Sequence, residues 1–119
     1  MRHTCSILAV PPSLNVYQDM YWAEQRRVKG EFELLTRAAV NSAKWPRGCQ
    51  HIDLRAVLTF PTNRRRDPSN YGATLWKFVL DALVEAGVIP DDTQEYVRTH
   101  EPVIVTGESE NTFIAMKGE

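Results

Sequence analysis

Three arginines run directly into an aspartate at Arg64-Arg65-Arg66-Asp67, and two further aspartates stand together at Asp91-Asp92. Guanidinium groups make forked contacts with phosphate and keep their charge at any relevant pH. Carboxylates supply the oxygen donors that Mg2+ and Mn2+ prefer. Such ions promote phosphodiester hydrolysis by stabilising the attacking and leaving oxygens. A basic run beside acidic residues therefore points towards phosphate chemistry. Pro68 fixes the turn after Asp67, and a helix starting just beyond it would present free backbone N–H groups, which are themselves an anion site. Taken alone, an arginine run is more often a solvated loop, and a single Asp before a helix is more often a cap.

Lys77 lies one helical turn before Asp81. It is either half of an i,i+4 ion pair worth a few tenths of a kcal/mol, or a lysine facing the phosphate corner, holding phosphate or protonating a leaving oxygen. His3, His51 and His100 show no metal-ligand spacing. Cys5 and Cys49 form no C-x-x-C pair and read as two reduced, partly buried thiols. No P-loop, nucleophile elbow or dinucleotide fingerprint is present.

The elements that must position these residues follow from apolar spacing. Residues 4–10 read as a strand closed by Pro11-Pro12, and PPSLN continues as extended or turning chain. A helix is expected from about Val28 to Lys44, ending at the breaker Trp45-Pro46-Arg47-Gly48. Residues 51–60 alternate: Ile52, Leu54, Ala56, Leu58 and Phe60 share one face of a half-buried strand. A second helix is expected from about Tyr71 to Ala86, with Asn70 as N-cap and Gly87 as terminator. It is apolar on almost every face, so it needs cover on more than one side, and a partner subunit is one candidate. Strands are expected near 95–105, weakened by Pro102, and 111–117. The order β-α-β-α-β-β implies an α+β fold, a mixed sheet with two main helices packed on it, in a single domain spanning 1–119.

The chain has 119 residues and a net charge of -1. Residues 1–77 hold 12 Lys/Arg against 6 Asp/Glu, whereas residues 78–119 hold 2 against 9. Such a split can set a basic groove beside an acidic cluster, although charge division in sequence need not survive folding. No segment approaches the roughly 20 apolar residues of a membrane span, and Cys5–Val10 is too short for a signal-peptide core. A cytoplasmic protein with no membrane partner is expected. One geometric objection stands against a metal site read from spacing. A helix of about 16 residues is ~24 Å long, so Asp67 and Asp91-Asp92 at its two ends do not meet by spacing alone.

The segment Arg64–Asp92, with Asn70, Lys77, Asp81-Ala82-Leu83, Ala86-Gly87 and the closing Asp91-Asp92, resembles the RusA family of Holliday-junction resolvases. So do the N-terminal strand, Pro11-Pro12-Ser13-Leu14-Asn15, Trp22-Ala23 and the basic Arg26-Arg27-x-Lys29. The resemblance implies a RusA-like fold and a homodimer that binds four-way or branched DNA in a basic cleft and nicks opposed strands with Mg2+ or Mn2+. By position, Asp67 and Asp92 would hold metal with Asp91 as neighbour, and Lys77 would be a catalytic lysine. Arg64, Arg65, Arg66, Asn70, Arg26, Arg27 and Lys29 would contact DNA. Ser69 stands where an aspartate is expected, and the spacing from Asn70 to Asp81 is about one turn longer than in well-studied members. The alternative is a branched-DNA-binding protein of the same fold that does not cleave. A globular interaction protein with no DNA role is a third reading.

Overall fold

The computed structural model describes residues 2–118. Its elements are β1 (Arg2–Ile7), α1 (Leu14–Asp19), α2 (Trp22–Ser42), β2 (Ile52–Phe60), α3 (Pro68–Glu85), β3 (Val97–Thr99), β4 (Val103–Thr106) and β5 (Asn111–Gly118). The architecture is a two-layer α+β fold, with helices on one face of a mixed five-stranded sheet.

β2 organises the sheet. Its alternating residues Ile52, Leu54, Ala56, Leu58 and Phe60 are all buried, as the period-2 pattern predicts. β5 pairs antiparallel with β2 along one edge and with β1 beyond it. On the other edge β3 and then β4 run parallel to β2. The expected strand 95–105 is thus two short strands, broken at His100-Glu101-Pro102. Pro102 lacks the N–H that a continuous ladder would use. The Trp76 indole N–H donates to the His100 carbonyl at 2.8 Å and ties the break to α3. The turn after β4 crosses the end of β2 on its way to β5. Gly107 donates to the Phe60 carbonyl there, and a Cβ at Gly107 would come within 2.6 Å of the Thr59 methyl.

α3 is buried on several faces, and its own chain provides the cover. Leu75, Phe78, Val79, Ala82 and Leu83 are fully buried. Phe78 is met edge-on by Tyr17 of α1, ring centroids 5.2 Å apart, and by Phe32 of α2 at 6.0 Å. A partner subunit is therefore not needed to cover this helix. The helix ends as its Gly87 predicts, with φ 78° at that residue. Gly87 N–H donates to Val84 and Val88 N–H to Leu83, satisfying the last carbonyls in a Schellman arrangement.

Three further boundaries differ from expectation. Leu14–Asp19 folds as the short helix α1, capped by the Ser13 hydroxyl, so only residues up to Ser13 of the PPSLN stretch stay extended. α2 begins at Trp22, between one and two turns before Val28, a start that apolar spacing does not mark because Trp22 faces solvent. α3 begins at Pro68 with Asp67 as its N-cap, not Asn70. Proline suits the first helical position because its missing N–H would be unpaired there anyway.

No helix of the described residues is long and apolar enough to cross a membrane. Cys5 and Cys49 are buried and unpaired by disulfide, and burial pushes the Cys5 thiol up to about 12.

Candidate nucleic-acid interface

The loop after β2 gathers Arg64, Arg65, Arg66, Asp67 and Asn70 at one corner, where β2 ends and α3 begins. The three arginines have different surroundings. Arg64 and Arg65 are exposed and, among the described residues, have no carboxylate partner. Arg66 turns back onto the fold, its guanidinium 3.9 Å from the Phe60 ring centroid. It donates to the Thr62 carbonyl and hydroxyl at 2.9 and 2.8 Å. Arg66 therefore holds the loop, and Arg64 and Arg65 are the two charges it presents.

Asp67 is committed on one side. Its Oδ1 accepts from the Ser69 backbone N–H at 3.0 Å and from the Ser69 hydroxyl at 2.9 Å. Asn70 and Tyr71 N–H groups point to the Asp67 carbonyl. The start of α3 is thus capped by its own aspartate, and the expectation of an open anion site at that terminus is corrected. Asp67 Oδ2 has no protein partner among the described residues.

Asn70 tethers the preceding segment, since its side-chain oxygen accepts from Asn15 N–H at 3.2 Å. Thr74, one turn on, donates to the Pro12 carbonyl. Lys77 follows on the same side of α3, about 10 Å along the axis from Asn70. It is exposed, with Nζ 6.0 Å from the Tyr17 ring centroid. Asp81 does not pair with Lys77. It takes Lys29 of α2 at 2.7 Å, which also reaches Glu33 at 2.9 Å. Partial burial works against the Lys29 charge, but hydrogen bonds to Asp81 and Glu33 outweigh it and raise its pKa. Lys29 is consequently a structural ion-pair residue whose charge is spent within the protein. Arg27 lies between Glu24 and Glu31, at 3.8 and 3.2 Å, while Arg26 rests 5.9 Å from the Trp22 ring centroid.

Asp91 and Asp92 are exposed at the other end of the molecule. Their loop is stitched to the start of β2: Gly48 and Cys49 donate to Gly87 and Val88, and Ile52 to Tyr96. Asp67 lies beyond the last residue of β2. The 18 residues of α3 separate the two acidic positions by ~27 Å. Among the described residues no group of three or more His, Cys, Asp or Glu is placed to hold a metal ion. The oxygen donors at the Asp67 corner are one carboxylate and the Ser69 hydroxyl, so a Mg2+ ion held there would have to take its remaining ligands from water and phosphate or from a further carboxylate.

Spacing gave no sign of a second charged group. Across the register of the sheet, Arg2 of β1, Lys117 of β5, Asp53 of β2 and Arg98 of β3 lie side by side on the face away from the helices. Arg55 follows Asp53 on the same face, 3.5 Å from its carboxylate. His100 Nε2 lies 3.0 Å from both Asp53 oxygens. Partial burial raises the Asp53 pKa, but the hydrogen bond and charge of His100, with Arg55 and Arg98 nearby, bring it below the ordinary value. Period-2 parity would have put each residue on a face of its strand, but only strand pairing sets them in one row.

No family model matches the chain, and no curated protein matches it either.

Proposed function

We propose that this chain is a structure-selective DNA endonuclease of the Holliday-junction-resolvase kind, acting as a RusA-like homodimer with Mg2+ or Mn2+. The observation that carries the reading is the corner itself: two unpaired arginines, Arg64 and Arg65, beside an aspartate whose second oxygen points to no protein group. Arg64 and Arg65 bind the phosphate backbone, Asn70 and Thr74 hold Asn15 and Pro12 against the corner, and Lys77 stands two turns along the same side of α3. One chain keeps Asp67 apart from Asp91 and Asp92, so a metal-binding set of these carboxylates needs a second copy. When bound, the ion would supply Lewis-acid assistance to phosphodiester hydrolysis.

The test is nicking of a labelled four-way junction against linear duplex of the same sequence, in Mg2+ and in Mn2+. The wild type nicks the junction preferentially, and Asp67→Asn binds it without nicking. Intact junctions with the wild type in both metals would overturn the reading.

The Ser69–Asp67 hydrogen bond favours a second reading, a branched-DNA-binding protein that does not cleave. A neutral hydroxyl satisfies Asp67 where a second carboxylate would call for a cation. Junction binding that is salt-sensitive, unaffected by chelation and unaccompanied by nicking would select this reading.

A further inference from the structure

The face of the sheet turned away from the helices carries no assigned role. A groove of about 1100 Å3 runs across it, lined at one end by Arg2, Arg55, Arg98 and Lys117. Among the described residues Asp53 is the one carboxylate in that row, already bonded to His100 and close to Arg55. Arg2, Arg98 and Lys117 have no carboxylate partner among the described residues. Further along the same face, Val57 lies between Phe113 and Val103, in register with both, and Phe113 is 39% exposed.

The origin of these cations matters. Residues 78–119 contain only two basic side chains, Arg98 and Lys117, against nine acidic ones. Strand pairing brings both to one row, where they flank Asp53 and stand next to Arg2 from the other end of the chain. A local excess of positive charge thus sits on the acidic half of the sequence. Like charges this close repel one another, a cost relieved when a polyanion neutralises them. The apolar strip beside the row suits the sugar and base edges of a strand whose phosphates lie along it.

We infer that the open sheet face is a second nucleic-acid surface, in which Arg2, Arg55, Arg98 and Lys117 hold a phosphate backbone and Phe113 meets a base or sugar. The inference rests on the DNA reading of the Arg64–Asp67 corner for the identity of the polyanion, and it places a second segment of the same branched substrate on the opposite layer. Two copies packed with these rows in register would set cation against cation, so a second copy of the chain is the less favoured occupant.

The experiment measures binding of a fluorescein-labelled four-way junction by anisotropy over a salt series. It uses the full chain and the variants Arg98→Ala/Lys117→Ala, Arg98→Lys/Lys117→Arg and Arg64→Ala/Arg65→Ala. Loss of two phosphate contacts lowers the slope of log K against log salt by about 1.8. The Arg98→Ala/Lys117→Ala variant should show that loss, with an affinity deficit that is largest at low salt and shrinks about twelvefold between about 50 and 200 mM. The charge-keeping Arg98→Lys/Lys117→Arg variant should restore both. Unchanged slope and affinity in Arg98→Ala/Lys117→Ala, with binding weakened by Arg64→Ala/Arg65→Ala, would overturn the sheet-face inference and leave the corner standing. Absence of junction binding by the wild type would overturn both. A change of oligomeric state in Arg98→Ala/Lys117→Ala, seen by sedimentation with DNA affinity per protomer unaltered, would assign the face to a second copy and overturn the inference.

Discussion

In the loop after β2, three arginines adjacent in sequence acquire different surroundings. On the outer face of the sheet, four charged residues from four strands come to lie side by side. Arg66 lies against Phe60 while Arg64 and Arg65 extend into solvent. Arg2, Asp53, Arg98 and Lys117 are separated by up to 115 positions in the chain and by one strand spacing each in the sheet. A contiguous run overstates how many charges act together. A charge balance taken along the chain understates it, because the sheet mixes the basic first part of the sequence with the acidic second part.

Asp67 separates the corner from the sheet row most strongly. Asparagine is as good an N-cap as aspartate, so Asp67→Asn should leave stability within about 0.5 kcal/mol while reducing junction nicking to background. Asp67→Ala removes the cap as well and should cost about 1 kcal/mol in a denaturant titration. If Asp67→Asn nicks like the wild type, the aspartate is a cap and nothing more, and the corner has no chemistry to contrast with the sheet row.

Ser69→Asp sharpens the same contrast. It deletes a hydroxyl hydrogen bond to Asp67, worth about 1 kcal/mol, and adds a second negative charge beside the first. The melting temperature in chelator should fall by roughly 4–8 °C. Mn2+, which the two carboxylates would hold, should return it to the wild-type value, with nicking raised at the same time. A melting temperature indifferent to Mn2+ would show that residues 67 and 69 do not form a cation site even with both carboxylates present.

Arg65 and Arg66 separate next, although they are neighbours. Arg65→Ala should lower the salt slope of junction binding by about 0.9 and leave stability within about 0.5 kcal/mol. Arg66→Ala should do the reverse: a loss of about 1–2 kcal/mol from the Phe60 contact and the Thr62 hydrogen bonds, with the slope unchanged apart from loop disorder. Equal effects of the two substitutions on the slope would mean that Arg66 leaves Phe60 when DNA binds.

The sequence showed most where one physical rule dominates. Alternation across Ile52–Phe60 and the left-handed requirement at Gly87 each predict their element without tertiary help. The apolar run of α3 correctly signalled cover on several faces, but the cover comes from Tyr17 and Phe32 of its own chain. α1 and the start of α2 were hidden because Tyr21 and Trp22, residues that normally mark a core, stand 74% and 62% exposed. At the candidate site, the Arg64–Asp67 run located the corner. The use of each side chain was not legible there, since Asp67 against Ser69, Lys29 against Asp81 and Arg66 against Phe60 are decided by three-dimensional neighbours.

The smallest effect tests the sheet row from its one carboxylate. The His100 hydrogen bond and charge, with Arg55 and Arg98 nearby, outweigh partial burial and lower the Asp53 pKa. A group whose pKa is lower when folded stabilises the fold above its unfolded value, near 3.8, and that contribution is lost as pH falls through the lower folded value. The wild type should therefore exceed Asp53→Asn in thermal stability at neutral pH. The margin is about 0.2–1 kcal/mol, because the group is partly exposed and screened. The difference should shrink on acidification and vanish once Asp53 is protonated. A margin constant from neutral pH into the acid range would mean that Asp53 contributes through packing alone.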